Sequence, residues 1–349
     1  MRYILITGGA GYIGSHTCIT LIEKNYRVII IDSFINSSYD SIIRIKKILK
    51  NKYPDIDNRL FFLQGDVRNE SFLINVFLKF SSGENKIDAV IHFAGLKSAS
   101  DSVSNPLDYW NVNVCGSINL LKVMDRFNCN EIVFSSTANV YDPAYINNLD
   151  EKAPLNPINP YGQSKLTIEN ILKNIHLSNT NKWKITILRY FNPIGAHFSG
   201  KIGESPKNKP LNIFPILCQV GIKNLEFLEI FGKDWPTRDG TGIRDFIHIM
   251  DLSEAHAAAL LYVKENKPKI SIFNIGTGKG TTVLELIKIF EKINKCSINF
   301  KFSPRRKGDV SQSIADISKA LSCLNWKPSF SIEDSCKDGW LWINKNHKE

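Results

Sequence analysis

The run Arg2-Tyr3-Ile4-Leu5-Ile6-Thr7-Gly8-Gly9-Ala10-Gly11-Tyr12-Ile13-Gly14 constrains the fold of this chain more than any other stretch. Its first half is apolar without alternation, as in a short strand buried on both faces. Gly8 to Gly14 satisfies Gly-x-Gly-x-x-Gly from Gly9 and Gly-x-x-Gly-x-x-Gly from Gly8. A helical pattern follows from Tyr12 to Lys24. Strand, glycine turn and helix in that order open a parallel, doubly wound sheet. The glycines let the backbone turn sharply and approach a pyrophosphate, which rests on the helix N-terminus. A plain strand-to-helix turn has the same look, so a second signal is needed. Asp32 supplies it. It ends the next apolar run, 18 positions after Gly14. An acid there accepts from the ribose 2′-hydroxyl of NAD and repels the 2′-phosphate of NADP. No arginine follows Asp32 closely to welcome that phosphate.

The rest of the first half repeats the rhythm. Strands are predicted at Arg2 to Thr7, Arg27 to Ile31, Leu60 to Gln64, Ile87 to Phe93, Glu131 to Ser135 and Lys184 to Leu188. Helices are predicted near 39–50, 70–80, 106–127 and 161–178. This alternation predicts an α/β, Rossmann-type doubly wound sheet. After Arg189 the rhythm breaks at Pro193, Gly195, Gly200, Gly203, Pro206, Pro210 and Pro215. Helical patterns at 251–265 and 281–294 flank the apolar run Ser271 to Ile275. The expected organisation is a dinucleotide-binding domain over 1–189 and a smaller, mostly C-terminal substrate lobe over 190–349, with some of its segments returning to the sheet.

Composition narrows the function classes. At 349 residues, 43% hydrophobic and 22% charged, the chain can bury a sizeable core. The net charge of +10 is carried by scattered lysines. The short basic clusters are Arg44-Ile45-Lys46-Lys47 and Arg305-Arg306-Lys307, without interleaved aromatics, so a nucleic-acid partner is not expected. The seven cysteines show no Cys-x-x-Cys, which suits reduced thiols in the cytoplasm and no zinc site. His248 and His256 fall in no metal-ligand spacing and read as polar or core histidines. No run of 18 apolar residues exists to span a membrane, and no secretory signal fits the start, where the strand and glycine turn lie.

Tyr161 and Lys165, in Asn159-Pro160-Tyr161-Gly162-Gln163-Ser164-Lys165, share one face if the segment is helical. A tyrosine with a pKa near ~10 must fall by about three units, roughly 4 kcal/mol, to act as a base near neutrality. A fixed ammonium a few Å away can supply about 4 kcal/mol at an effective dielectric of 20. Ser135-Ser136-Thr137 caps a predicted strand at the sheet edge where open sheets bind ligands. A hydroxyl there can meet both a substrate hydroxyl and the tyrosine; a polar turn is the bland alternative. Lys97, in Phe93-Ala94-Gly95-Leu96-Lys97, reaches the same edge and fits either a phosphate contact or a surface lysine. Arg244 and Arg306 are candidate diphosphate ligands, since arginine forks suit phosphate oxygens. Spacing alone does not separate that role from a solvated charge.

With these residues assembled, the chain resembles the extended short-chain dehydrogenase/reductases, and within them the UDP-glucose 4-epimerases. The likeness runs from Arg2 to about Trp342. It is carried by Thr7 to Thr17, His92 to Lys97, Arg189-Tyr190-Phe191-Asn192-Pro193-Ile194-Gly195-Ala196 and, most diagnostically, Asp239-Gly240-Thr241-Gly242-Ile243-Arg244-Asp245. The resemblance implies NAD as cofactor, a UDP-hexose as substrate and a homodimer joined by helices of the first domain. It implies that Gly8, Gly11, Tyr12, Ile13 and Gly14 line the pyrophosphate. Asp32, Asn36 and Ser37 would hold the adenosine ribose and phosphate side. Asp66 and Val67 would border the adenine. Phe93, Ala94, Lys97, Asn113 and Tyr190 would lie against the cofactor. Tyr161 would be the base, Lys165 the nicotinamide-ribose ligand and Thr137 the substrate hydroxyl contact. Asn192, Asn212, Ile213, Phe231, Arg244, Arg306, Asp309 and Ser313, with Lys97, would contact the UDP-sugar. The small Ser313 would line the pocket near C2, where relatives with tyrosine are confined to plain sugars. That implies room for UDP-GlcNAc and UDP-GalNAc.

The sequence departs from that pattern at three places. Thr137 stands where serine is frequent, Asp142 replaces a glycine after Val140-Tyr141, and Phe246 stands where tyrosine is common. Asp142 puts a local turn in question. Inverting C4 requires a hydride to leave and return to the opposite face, and the resemblance implies that chemistry for UDP-galactose and UDP-glucose. Two rivals stay in view. A nucleotide-sugar 4,6-dehydratase would carry Asp-Glu after the threonine, whereas Ala138 and Asn139 follow Thr137. A non-catalytic dinucleotide sensor would not need Tyr161, Lys165 and Thr137.

Overall fold

The computed structural model describes all residues except 82–85, 146, 208–209, 307 and 347–349. Lys307 of the predicted basic cluster therefore lies outside the described residues. Seven parallel strands form the central sheet. They are β1 (Tyr3–Thr7), β2 (Arg27–Asp32), β3 (Leu60–Gln64), β4 (Ile87–His92), β5 (Glu131–Thr137), β6 (Lys184–Tyr190) and, from late in the chain, Ile270–Ile275, in the order 3-2-1-4-5-6 with the late strand beyond β6. The order reverses between β1 and β4. A crevice opens there at the carboxyl ends of the strands, the usual ligand site of such sheets.

Helices cover both faces: α1 (Tyr12–Glu23), α2 (Asp40–Leu49), α3 (Glu70–Lys79), α4 (Ala99–Ser104), α5 (Pro106–Tyr109), α6 (Gly116–Arg126) and α7 (Pro160–Ser178). Successive strand residues point to opposite faces. Ile4 and Ile6 accordingly join a core with Ile19 and Ile22 of α1. Tyr3 and Leu5 join a second core with Leu73 of α3, Leu120 of α6 and Ile168 of α7. The segment expected to be one helix over 106–127 is interrupted. Trp110–Cys115 is a π-helical stretch between α5 and α6. Such bulges recur at functional sites, and this one presents Asn113.

After β6 come β7 (Asn192–Ile194), α8 (Ile213–Gly221), β8 (Leu228–Phe231), β9 (Ile243–Arg244), β10 (Phe246–His248) and α9 (Ile249–Glu265). The late sheet strand is β11. Then follow β12 (Thr281–Thr282), α10 (Val283–Asn294), β13 (Phe300–Ser303), β14 (Gln312–Ser313), α11 (Ser318–Leu324) and α12 (Ile332–Asn346). Helix α9 packs on the main sheet through Leu252, Ala255 and Ala259. A separate core joins Phe214 and Leu217 of α8, Leu228 and Ile230 of β8, Phe290 of α10 and Cys336 of α12. Asp142 forms its turn without a glycine. Its carboxylate accepts from the Ala144 N–H at 2.9 Å, and its backbone is not left-handed.

Candidate active site

The glycine turn is built by close approach. Gly8 sits at φ +69°, and a Cβ there would lie 2.8 Å from the Ala94 nitrogen. A Cβ on Gly14 would meet the Gly8 oxygen at 2.5 Å. The first turn of α1 thus packs directly on the turn between strand and helix. No side chain caps α1 and no acid occupies its first turn. Its open N–H groups and dipole are available to an anion. Ala94, after β4, closes the other side of the crevice, its N–H donating to Thr7 Oγ1 at 3.2 Å.

Asp32 stands at the lip of this turn, buried. One carboxylate oxygen accepts from the Ala10 N–H at 3.0 Å; the other accepts from the Phe34 N–H at 2.9 Å and the Ser37 hydroxyl at 2.7 Å. Asn36 beside it is exposed. At the end of β3, Asp66 takes both arms of Arg68, at 3.0 and 2.7 Å, which holds its carboxyl below the usual range. Val67 is buried against Gly116. These residues have the form an adenosine site needs: a carboxylate for ribose, small residues beneath it and an open helix terminus for phosphate.

The catalytic candidates meet at the ends of β5 and β6. The cluster Ser135-Ser136-Thr137, expected to cap β5, lies within it, because the strand continues to Thr137. Helix α7 opens on Asn159, whose side chain accepts from the Gly162 N–H at 2.8 Å, with Pro160 in the first helical position. A Cβ at Gly162 would stand 2.4 Å from the Asn139 carbonyl oxygen. Only glycine lets the helix seat there, and this seating brings Tyr161 beside Thr137. The Thr137 oxygen accepts from the Asn139 N–H at 3.2 Å. Its own proton is then free for the Tyr161 oxygen, and this hydrogen bond lowers the phenol pKa.

Burial raises the pKa of Tyr161, and the Thr137 hydrogen bond opposes it. The Lys165 ammonium donates to the Ser135 carbonyl at 2.9 Å and lies 4.9 Å from the centre of the Phe134 ring. Desolvation has itself brought Lys165 down to about 8.

Asn113, buried in the π-helical stretch, accepts from the Leu96 N–H at 2.7 Å and donates to the Leu96 carbonyl and the Ser164 hydroxyl. It thereby ties the loop after β4 to α7. The Phe93 and His256 rings are tilted against each other, with centroids 4.7 Å apart. The Tyr190 hydroxyl lies 2.5 Å from His256 Nε2, and His256 Nδ1 donates to the Leu252 carbonyl. That pairing leaves Nε2 as an acceptor, so the Tyr190 phenol donates to it. Lys97 pairs with Glu204 at 2.8 Å across the cleft mouth, a partner with no spacing signal because it is 107 residues away.

Residues after β6 assemble a basic cluster. The Arg306 guanidinium lies 4.1 Å from the Phe231 ring centre and pairs with Asp309 at 3.3 Å. Arg244 is close enough for both to act on it. Desolvation lowers its pKa, Asp309 raises it and Arg306 lowers it further. Four sequence candidates, Phe231, Arg244, Arg306 and Asp309, are thus brought together. Ser313 pairs with Arg244 across β14 and β9. Asn192 opens β7, its N–H bonded to the Asp245 carbonyl at 3.0 Å. Asn212 precedes α8 and is exposed, and Ile213 is the helix's first residue. The residue that fixes this pocket escaped sequence reasoning. Asp245, fully buried, accepts from the Thr277 N–H and hydroxyl, both at 2.7 Å, and from the N–H groups of Gly278 and Ala315 at 2.9 and 3.2 Å. It locks β9 to two loops; its place directly after Arg244 was the available signal. Glu169 and Arg189, a buried ion pair behind the site, were missed likewise.

Comparison with known proteins agrees with this geometry. A family model described as GDP-mannose 4,6 dehydratase matches residues 5–339. The chain is 43% identical to a UDP-glucose 4-epimerase of Bacillus subtilis (strain 168) over 343 residues, 98% of this chain and 97% of that protein. It is 44% identical to UDP-glucose 4-epimerase 2 of Arabidopsis thaliana over 345 residues, 99% of this chain and 96% of the relative. A solved UDP-glucose 4-epimerase from Bifidobacterium longum, in complex with NAD+ and UDP, superimposes with a TM-score of 0.92 at 40% identity and covers 99% of both chains. With nearly full-length relatives at this identity and a solved structure that superimposes over almost the whole chain, the chain belongs to the UDP-glucose 4-epimerase family.

Proposed function

We propose that this protein interconverts UDP-galactose and UDP-glucose, with NAD bound throughout. What supports the reading is the presence in one chain of two assembled groups: the Thr137–Tyr161 pair at the sheet edge, and the Arg244–Arg306–Asp309–Phe231 cluster. Arg244 and Arg306 suit a diphosphate, and the face of Phe231 suits a planar base. Asp32, the glycine turn and the open start of α1 suit NAD. Lys165, Asn113 and Tyr190 are the residues this reading assigns to its nicotinamide end. When bound, NAD supplies the acceptor for the C4 hydride and a positive ring that favours the phenolate.

The protein's own groups do the rest. Tyr161 takes the proton from O4 and later returns it. Thr137 donates to the phenolate and holds the substrate hydroxyl. The two arginines anchor UDP while the oxidised sugar turns its other face. Ser313 lies beside Arg244 and is small, so the reading extends to UDP-GlcNAc and UDP-GalNAc. Ala138 and Asn139 follow Thr137 in a 3-10 turn, and neither is an acid or base of the kind a dehydration needs. The assay is conversion of UDP-galactose by the purified protein, read as UDP-glucose formed. Conversion without added oxidant supports the reading; formation of a stable 4-keto-6-deoxy sugar, or no turnover, overturns it.

The reading also covers the setting. It takes the protein to be a cytoplasmic homodimer acting in galactose metabolism, with no nucleic-acid or membrane partner; the free cysteines suit a reducing compartment. Val103 and Leu107, 65% and 79% exposed on α4 and α5, are candidates for a helical dimer face. The division at residue 190 stands as a proposal about two lobes, with α9 and β11 serving the first.

A further inference from the structure

Behind the catalytic candidates lies an ion pair that the proposed chemistry does not use. Glu169 and Arg189 are 0% and 1% exposed. Arg189 grips the carboxylate with two bonds, Nε to Oε1 at 3.0 Å and Nη2 to Oε2 at 2.6 Å. The Ser136 hydroxyl donates to the same Oε1 at 2.5 Å. The remaining guanidinium arm reaches the Tyr141 oxygen at 3.1 Å, and Tyr141 donates to Asn274 of β11 at 2.6 Å. One carboxylate on α7 is thereby bound to β5 and β6, and through Arg189 and Tyr141 to β11.

The members of this network are chain neighbours of the working groups. Glu169 is one turn beyond Lys165 and two beyond Tyr161 on α7, so all three share a helix face. Ser136 lies between Ser135, whose carbonyl holds the Lys165 ammonium, and Thr137, which bonds Tyr161. Arg189 precedes Tyr190. In the β5–β6 register Ser136 stands opposite Arg189 and Thr137 opposite Tyr190. Apolar burial by Ile168 and Leu172 holds α7 on the sheet, but such contacts have no direction. A bidentate fork does. The start of α7 is fixed by the seat of Gly162 on Asn139 and by the Asn113–Ser164 bond. A second fixed point two turns on determines both rotation and slide of the helix.

We infer that Glu169 is a positioning residue for the reaction, holding α7 against the ends of β5 and β6 so that Tyr161, Lys165 and Thr137 keep their alignment. This rests on the epimerase reading above. A buried ion pair is weak evidence for stability, since apolar replacements often serve as well; its directional bonds are what the site needs.

The test compares wild type, Glu169→Gln and Ser136→Ala in UDP-galactose conversion, with kcat counted per folded, NAD-loaded site. Glu169→Gln keeps shape and one acceptor. Its kcat should fall about tenfold to hundredfold, as small misalignments of reacting groups do. KM should stay within about twofold, because the UDP anchors lie in the other lobe. Ser136→Ala leaves the ion pair intact and cuts the link to β5, so its kcat should fall by a smaller factor with the melting temperature nearly unchanged. If Glu169→Gln does not fold, Ser136→Ala decides. Wild-type kcat per folded site in the variants, with only melting temperature lowered, overturns the inference and leaves the epimerase reading standing. An inactive wild type overturns both.

Discussion

Tyr161 carries the proposed chemistry on one oxygen, and single-atom changes test it. Tyr161→Phe should keep fold and NAD while losing turnover by about 10²–10⁴-fold, the usual range for a general base; steady-state kinetics beside a melting curve would check both halves. Asp32→Ala removes the acceptor at the lip of the glycine turn together with its negative charge. It should loosen NAD and relax discrimination against NADP, measured by cofactor retained through gel filtration and by activity restored with each dinucleotide. These two residues were legible because each rests on a short-range rule: four-residue spacing on a helix, and an acid closing the second strand. The partner of Lys165 was not legible. A four-carbon stem can reach several acceptors, and its choice of the Ser135 carbonyl depends on where β5 ends.

Among the elements, the start of α7 matters most. Gly162→Ala would place a methyl 2.4 Å from the Asn139 carbonyl oxygen. The helix must shift, at a cost of about 1–3 kcal/mol for such overpacking. Thermal melting should show that loss, and kcat should fall more than KM rises because Tyr161 moves from Thr137. The strands and helices of the first half followed from apolar runs and helical periods. The π-helical stretch at Trp110–Cys115 did not, because one extra residue in a turn leaves the apolar spacing nearly intact. In the second half, β9, β12 and β14 have two residues each. Two residues carry no period, so Arg244 could be nominated by residue type but not placed. Its placement comes from Asp245 and the loops that carboxylate collects.

For the molecule as a whole, three buried histidines contribute to the response to acid. Burial lowers His16 to about 3, His92 to about 3 and His256 to about 4. In the unfolded chain each titrates near ~6.5. Between these values the unfolded state binds more protons, so stability falls as pH drops from 6.5 toward 3. Each residue should remove about 2 kcal/mol between pH 7 and pH 5, visible as a lowered denaturation midpoint. At the same scale, the seventh strand joins the sheet from late in the chain, so the two halves are expected to unfold together rather than in sequence. The central claim is that this cleft removes the C4 hydrogen of a UDP-hexose and returns that same hydrogen to the other face, with Tyr161 moving only the O4 proton. UDP-galactose carrying deuterium at C4, followed by NMR in ordinary water, tests it directly. The account predicts UDP-glucose with the deuterium still at C4, and loss of conversion in Tyr161→Phe. Product with protium at C4, or undiminished conversion by Tyr161→Phe, would contradict it.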